Sequence, residues 1–115
     1  MTSIRLESVT EKNNNYRKVL VTTNQTQLVL MCLIPGEDIP AEVHQGTTQF
    51  IRVEEGKASV VVDGKKKTLK AGDAIVIPAG SKHYVKQLGT KGLKLYTLYS
   101  PPEHPEGLVQ QRQPK

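Results

Sequence analysis

The chain has 115 residues, which suits one domain with a single hydrophobic core. Its net charge is +5, but the basic residues form one dense run, residues 65–67, without interleaved aromatic residues, so we expect no nucleic-acid partner. No run approaches membrane-spanning length and no apolar leader is visible, so we expect a soluble, cytoplasmic protein without a membrane partner.

Short extended segments separated by turn-forming residues run along the whole chain. Asp63-Gly64 between two apolar runs is a hairpin signal. Residues 26–34 are apolar almost without alternation, so both faces of that strand should be covered. Helical periodicity is absent, and we therefore expect an all-β sandwich or barrel. The predicted strands are residues 3–9, 16–23, 26–34, 49–53, 57–63, 65–70, 74–77, 83–87 and 93–100.

The ends of the chain differ from this pattern. Residues 101–115 are polar and rich in proline, and we expect them to be loosely held. The domain is then 1–115, with a barrel core at about residues 16–100. Cys32, the single cysteine, excludes an internal disulfide, and within its apolar run we expect a buried, inert thiol.

Strand alternation predicts a pocket of polar side chains. Glu42 and His44 are two residues apart, so on a strand both leave the same face. Gln49 and His83 join them if the sheet curls round on itself, and such a group of side chains can hold a metal ion. The same alternation predicts two inner faces: Gln49 with Ile51 and Val53, and His83 with Val85 and Gln87.

These residues belong to two stretches with a specific spacing. The first stretch has Gly36, Glu42, His44, Gln49 and Gly56. It resembles the first motif of the cupin superfamily, the small jelly-roll barrels, in which Gly and five residues precede His-x-His. Three or four residues, Glu, six residues and Gly complete that motif.

The second stretch resembles the second cupin motif. That motif is Gly, five residues, Pro-x-Gly, two residues, His, three residues and Asn. Gly72, Pro78, Gly80 and His83 match it, and Gln87 stands at the position where Asn is usual. The resemblance implies a double-stranded β-helix, the jelly-roll barrel of cupins.

The resemblance also implies a divalent metal, usually held by three imidazoles and one carboxylate. In this chain Glu42 stands in place of the first His and Gln49 in place of the Glu, so the implied ligands are Glu42, His44, Gln49 and His83. Two His and one carboxylate are associated with Fe(II), but Zn, Mn and Ni accept the same donors. Some small cupins that act on sugar acids are similar to this chain in having Gln at the third position.

A pocket without metal is the alternative. In that case Glu42 and Gln49 form hydrogen bonds across the interior, and neighbouring groups satisfy both histidines. Burying an unpaired carboxylate is costly, which favours a cation beside Glu42.

Other polar residues are weaker candidates. His104 lies in the Pro-rich segment, where we expect it to be exposed. Alternation places Tyr84 opposite His83 and Arg52 opposite Gln49. We predict no catalytic role for these residues, nor for Tyr96 and Tyr99.

Two functions remain open. The chain is similar to small cupins described as mannose-6-phosphate-isomerase-like, although no inward cluster of Arg or Lys is predicted that would bind a phosphate. The first function is a metal-dependent, isomerase-like enzyme for a small sugar or keto acid, with Glu42 as general base if it is not a ligand. The second is a non-catalytic module that binds or senses a metal or small ligand.

Assembly follows from the expected edge strands. Open jelly rolls leave strand edges, and the apolar N-terminal strands have no predicted helix to cover them. We therefore expect a homodimer that pairs or packs through residues 4–23.

Overall fold

The computed structural model describes residues 1–115 and contains one short helix and ten strands. The elements are α1 (Leu6–Lys12), β1 (Arg17–Thr22), β2 (Gln27–Leu33), β3 (Asp38–Val43), β4 (Thr48–Glu55), β5 (Lys57–Val62), β6 (Lys65–Lys70), β7 (Ala74–Ile77), β8 (Lys82–Leu88), β9 (Leu93–Ser100) and β10 (Val109–Gln110). The strands form two antiparallel sheets, ordered β10-β1-β2-β9-β4-β7 and β3-β8-β5-β6. The predicted all-β jelly-roll barrel is confirmed.

The interior lies between the two sheets and is mostly aliphatic. On β4, Gln49, Ile51 and Val53 are each at most 1% exposed, and the predicted inner face of β8 is also buried. Burial of one such aliphatic side chain contributes about 1.5–3 kcal/mol. These core residues therefore hold the sheets together: Val19, Val29, Met31, Leu33, Ile51, Val53, Val60, Val85, Leu93 and Leu95.

Strand β2 is buried on both faces, as its unbroken apolar sequence predicted. It lies between β1 and β9, and its inner face lines the barrel. Near its outer face, Val9 of α1 borders the same cavity as Leu30. Cys32 is buried here, and burial raises the pKa of its thiol, which fits an inert cysteine.

The strand predicted at residues 3–9 is wrong, because Leu6–Lys12 forms α1. The short alternation of Ile4 and Leu6 with polar residues resembled a strand. As a helix, the segment places Glu7 in the first turn and Lys12 in the last, where each charge complements the helix dipole. Thr10 is buried and donates its hydroxyl proton to the carbonyl of Leu6, 2.7 Å away.

The C-terminal segment is held more firmly than we predicted. Val109–Gln110 forms β10, which pairs with the first two residues of β1. Gln113 donates from its side-chain amide to Asp38 Oδ1 at 2.7 Å. The backbone groups of β1 supply the partners of β10, and Asp38 of β3 supplies the partner of Gln113. The polar composition of residues 101–115 did not reveal these long-range contacts.

Two local features set the path of the chain at different positions along the barrel. The β3–β8 pairing shifts register between Ile39 and Glu42, and Pro40 in this interval has no N–H to donate. Gly56 has φ +82°, and a Cβ there would lie 2.6 Å from the carbonyl oxygen of Gly92. The last glycine of the first motif is therefore required at Gly56 for a steric reason.

The helix α1 has seven residues, and no helix is long and apolar enough to cross a membrane.

Strand β1, which we expected at an exposed edge, lies between β10 and β2. The homodimer and the cytoplasmic location stay predictions.

Candidate metal centre

The structure places Glu42, His44, Gln49 and His83 at one end of the barrel. Glu42 and His83 are direct partners across the β3–β8 pairing, and His44 follows the end of β3. The ring centroids of His44 and His83 are 5.0 Å apart. Gln49 reaches the same region from the opposite sheet, where it pairs with Tyr99 of β9.

His83 has one nitrogen held and one free. Its Nδ1 lies 3.1 Å from the carbonyl oxygen of Ser81. Because a carbonyl only accepts, this contact requires the proton on Nδ1 and leaves a lone pair on Nε2. That Nε2 atom is buried and has no hydrogen-bond partner.

A carboxylate holds Nδ1 of His44, as the carbonyl of Ser81 holds Nδ1 of His83. Its Nδ1 lies 3.0 Å from Oε1 of Glu103, and Oε2 of Glu103 accepts a hydrogen bond from the Thr47 hydroxyl at 3.3 Å. A proton on Nδ1 leaves the lone pair of Nε2, which lies 3.6 Å from Oε2 of Glu42. Carboxylate–histidine pairs of this kind orient imidazole ligands in metal sites.

Gln49 presents an acceptor to the interior. Its amide nitrogen donates to the Thr97 hydroxyl at 3.1 Å and to the Tyr99 hydroxyl at 3.3 Å. The oxygen, Oε1, is buried without a partner.

The four side chains are of the types that bind divalent ions, but their ligand atoms are too far apart to hold one ion in their present positions. Two ligands about 2.1 Å from a tetrahedral ion lie about 3.4 Å apart, close to the separation of His44 Nε2 and Glu42 Oε2. The carboxylate and imidazole ligand atoms of Glu42, His44 and His83 do not all lie within 4.8 Å of one another. At least one of these side chains must therefore move before three of them can hold one ion.

A different group of acids meets that distance limit. The carboxylate oxygens of Glu7 and Glu11 in α1 and of Glu54 in β4 lie within 4.8 Å of one another. Such exposed acidic groups are common on proteins that bind no metal there. We therefore keep the barrel end as the candidate site.

Glu103 was missed by sequence reasoning. The buried amide of Gln27 holds its segment, since Oε1 of Gln27 accepts from the backbone N–H groups of Glu103 and His104 at 3.2 and 3.0 Å. The Gln27 side-chain nitrogen donates to the carbonyl oxygen of His104 at 2.8 Å. The proline-rich sequence suggested that the chain leaves the barrel here, whereas this clamp holds the segment across its polar end.

His104 is not the exposed side chain that we expected. Its Nε2 atom is buried without a partner, and its ring meets the ring of Tyr99 edge-on at 5.0 Å. Burial lowers the pKa of His104 to about 4, and the positive charge of Arg17 contributes to the lowering. His104 is therefore neutral at physiological pH.

Tyr99 also belongs to this end. Its ring meets the His44 ring edge-on at 5.7 Å, and burial raises the pKa of its hydroxyl strongly. The alternation of β9, which places Thr97 and Tyr99 on one inner face, was the signal that could have identified it. Tyr84 lies on the other face of its strand from His83, as predicted, and donates to Asp38 at 2.6 Å.

Side chains and the segment from Pro101 to Pro105 fill the barrel end. The four surface cavities lie elsewhere, and only the one of about 210 Å³ touches a candidate ligand, His83. Its other lining residues include Val61 and Tyr84, which are on the outer face of the four-stranded sheet. None of the four cavities therefore opens onto His44 or Gln49.

Residues 29–99 match the family model described as Cupin domain. Uncharacterized protein L612 of Acanthamoeba polyphaga mimivirus is 44% identical over 97% of this chain and 72% of its own length. Uncharacterized protein YrkC of Bacillus subtilis (strain 168) is 39% identical over 92% of this chain and 60% of its own length, so this chain spans about three fifths of YrkC. The crystal structure of BH2720 from Bacillus halodurans is 37% identical, with a TM-score of 0.94 over 96% of this chain and 89% of that chain.

Two further matches carry more specific names. Quercetin 2,3-dioxygenase of Bacillus subtilis (strain 168) is 36% identical over 63% of this chain, but this match covers 22% of that enzyme. The structure of KdgF from Halomonas sp. has a TM-score of 0.69 and 28% identity, over 76% of this chain and 78% of that chain.

Removal of Glu103 should change the tautomer of His44. In the parent protein at alkaline pH, we expect the His44 proton on Nδ1. In Glu103→Ala we expect the ratio of the two tautomers to shift by about tenfold or more, because a hydrogen bond to a charged group contributes about 1.5–3 kcal/mol. Nitrogen-15 NMR of the imidazoles measures the ratio without any metal.

Glu106→Ala is the matched control, since Glu106 is exposed on the same segment. His83 supplies an internal control, because Ser81 rather than Glu103 holds its Nδ1. An unchanged His44 tautomer in Glu103→Ala would contradict the assignment.

Proposed function

The chain belongs to the cupin family, and from this premise we propose that it is a metal-dependent enzyme acting on a small sugar-type or keto-acid-type substrate in the barrel. Its ligands are Glu42, His44, Gln49 and His83. The ion is divalent, with Zn, Mn, Fe and Ni as candidates, since all accept imidazole and oxygen donors.

One observation carries the proposal: the four side chains present acceptors. The imidazoles of His44 and His83 each have a lone pair on Nε2, Gln49 presents a carbonyl oxygen, and Glu42 a carboxylate. An acceptor buried without a donor costs about 1–3 kcal/mol. A cation satisfies several acceptors at once, and no donor from the protein reaches His83 Nε2 or Gln49 Oε1.

The residues around these ligands set what the site can do. A divalent ion held there supplies Lewis acidity toward a carbonyl or hydroxyl oxygen of the substrate. Tyr99 stays protonated and offers a neutral hydroxyl beside Gln49. Glu42, if it is not a ligand, is the carboxylate placed to act as general base. An isomerase-like proton transfer fits this set, and one relative named as an enzyme, quercetin 2,3-dioxygenase, supports a catalytic role.

The second candidate is a non-catalytic module that binds or senses a metal or small ligand. The filled barrel end favours it, because none of the four cavities opens onto His44 or Gln49. Metal binding is common to both candidates, so turnover has to separate them.

Loss of either histidine should remove the metal. Loss of a residue that only hydrogen-bonds to a metal ligand lowers metal affinity by about tenfold to hundredfold. Because His44→Ala and His83→Ala each remove a ligand itself, we expect at least this loss of affinity in both variants. His104→Ala should keep its metal, because His104 is not in the ligand set. Elemental analysis of the purified proteins measures this, and equal metal content in all three variants would exclude the histidine assignment.

The two oxygen ligands should respond unequally. Glu42→Gln removes the charge with little change of shape and should weaken metal binding severely, because a charge attracts a divalent ion more strongly than an amide dipole does. Gln49→Glu adds a second carboxylate and should tighten binding. Isothermal titration with one metal at one pH measures both, and parental affinity in Glu42→Gln would mean that Glu42 is not a ligand.

Turnover separates the enzyme from the binding module. We expect the metal-loaded protein to convert at least one compound of a panel of small sugars and keto acids. Under metal concentrations that saturate both proteins, Glu42→Gln should be slower by about 10²–10⁴-fold if Glu42 transfers a proton. Tight metal binding without turnover of any compound would favour the binding module.

A further inference from the structure

A cavity of about 370 Å³ lies at the end of the barrel opposite to the candidate metal centre. Its volume is within the range of small-ligand pockets, roughly 300–1,000 Å³. Lys57, which lines the cavity, pairs with Leu88 at one end of the β5–β8 ladder. Val62 pairs with the candidate ligand His83 at the other end, and this length of strand spans about 17 Å. The cavity is therefore separate from the candidate metal centre.

Three lysines line this cavity, and they come from different parts of the chain. Lys57 begins β5, Lys70 ends β6, and Lys91 lies in the loop between β8 and β9. No Asp or Glu lines the cavity, and no carboxylate lies within 4.0 Å of any of the three ammonium groups. Asp73, which lies beside them, accepts from the backbone N–H of Lys70 at 2.9 Å. The three charges are therefore available to an anion.

The lysines are exposed, so each charge alone attracts an anion only weakly, and the buried Gln87 adds a second element to the site. Its side-chain nitrogen donates to the carbonyl oxygens of Leu88, Gly89 and Lys91 at 2.9, 2.8 and 2.8 Å. Because a carbonyl only accepts, the nitrogen end of the amide faces these three groups. Gln87 stands where the second cupin motif usually has Asn, and here it holds the loop that forms one wall of the cavity.

The same contacts direct backbone N–H groups away from Gln87. In a trans peptide the C=O and the N–H of the next residue point in opposite directions. Since the carbonyls of Leu88 and Gly89 face Gln87, the two N–H groups that follow point away from it. They belong to Gly89 and Thr90, which both line the cavity, and no backbone carbonyl accepts from either of them. Successive free N–H groups in a turn form a site for an anion.

We propose that this cavity binds the phosphate group of a small phosphorylated molecule. A phosphate monoester carries about 1.5–2 negative charges at pH 7 and has three acceptor oxygens. These oxygens suit ammonium groups that approach from β5, β6 and the β8–β9 loop, together with the free N–H groups of that loop. A carboxylate has one charge and two oxygens in a plane, so it matches fewer of these donors. The site goes beyond the proposed function, because none of the candidate metal ligands contributes to it.

An NMR titration of the full chain with matched ligands tests the proposal. The probes are inorganic phosphate, glycerol 3-phosphate and glycerol, at pH 7 and physiological ionic strength. We expect both phosphates to shift the backbone amide signals of Gly89 and Thr90 until the site is saturated, while glycerol shifts neither. Absence of a saturable shift with both phosphates overturns the proposal. A response to inorganic phosphate alone also overturns it, because the cavity then takes a free ion and not a phosphorylated molecule.

A triple variant removes the lysines that line the cavity. K57Q/K70Q/K91Q should weaken binding of glycerol 3-phosphate by at least about tenfold, which is the effect of losing a single charge-assisted hydrogen bond. Thermal unfolding of the variant identifies any loss of fold. Lys91→Gln changes a loop residue alone and should also bind glycerol 3-phosphate more weakly than the parent. If the triple variant does not fold, parental affinity in Lys91→Gln overturns the proposal.

A second triple variant removes the same total charge elsewhere. K65Q/K66Q/K67Q changes three exposed lysines of β6 that do not line the cavity. It should bind glycerol 3-phosphate within about twofold of the parent, because physiological salt screens charges beyond about 8 Å. Equal losses in the two triple variants would mean that the net charge of the protein attracts the phosphate without a defined site, and would overturn the proposal.

Discussion

The two sheets enclose one interior that is aliphatic at one end and polar at the other, and the candidate site depends on this division. Leu33 and Leu93 pair at the aliphatic end, whereas Gln27 and Tyr99 pair at the polar end of the same two strands. Polar groups taken out of water must find partners, since an unsatisfied one costs about 1–3 kcal/mol. At this end the protein satisfies some of its polar atoms and leaves others unpaired. The hydrogen-bonded atoms fix the positions of the side chains, and the unpaired atoms are available to bind a ligand.

Gln27 links the barrel to the segment that covers it. Its amide accepts from two backbone N–H groups and donates to one carbonyl of that segment. These bonds place the Glu103 carboxylate against His44 and the His104 ring against Tyr99. The same segment therefore orients a candidate ligand and closes the interior. Movement of this segment would separate Glu103 from His44 and so remove the contact that orients the imidazole.

Local patterns predicted the barrel well, and long-range contacts account for what they missed. Alternation on β4 and β8 identified the inner faces that carry Gln49 and His83, because period two is a property of the strand itself. Glu103 could not be placed in the same way, since it reaches His44 from 59 residues away through a segment without regular structure. Arg17 is the first residue of β1, and its burial depends on the return of β10 beside it. The helix α1 was missed because its seven residues show too little periodicity to separate it from a strand.

The charges at the polar end favour a divalent cation. With neutral imidazoles, Glu42 and Glu103 bring two negative charges to this end, partly screened because the carboxylates are 37% and 32% exposed. A divalent cation would neutralise these two charges. Glu103 therefore acts on the site in two ways, because it orients His44 and also contributes a charge that would attract the ion.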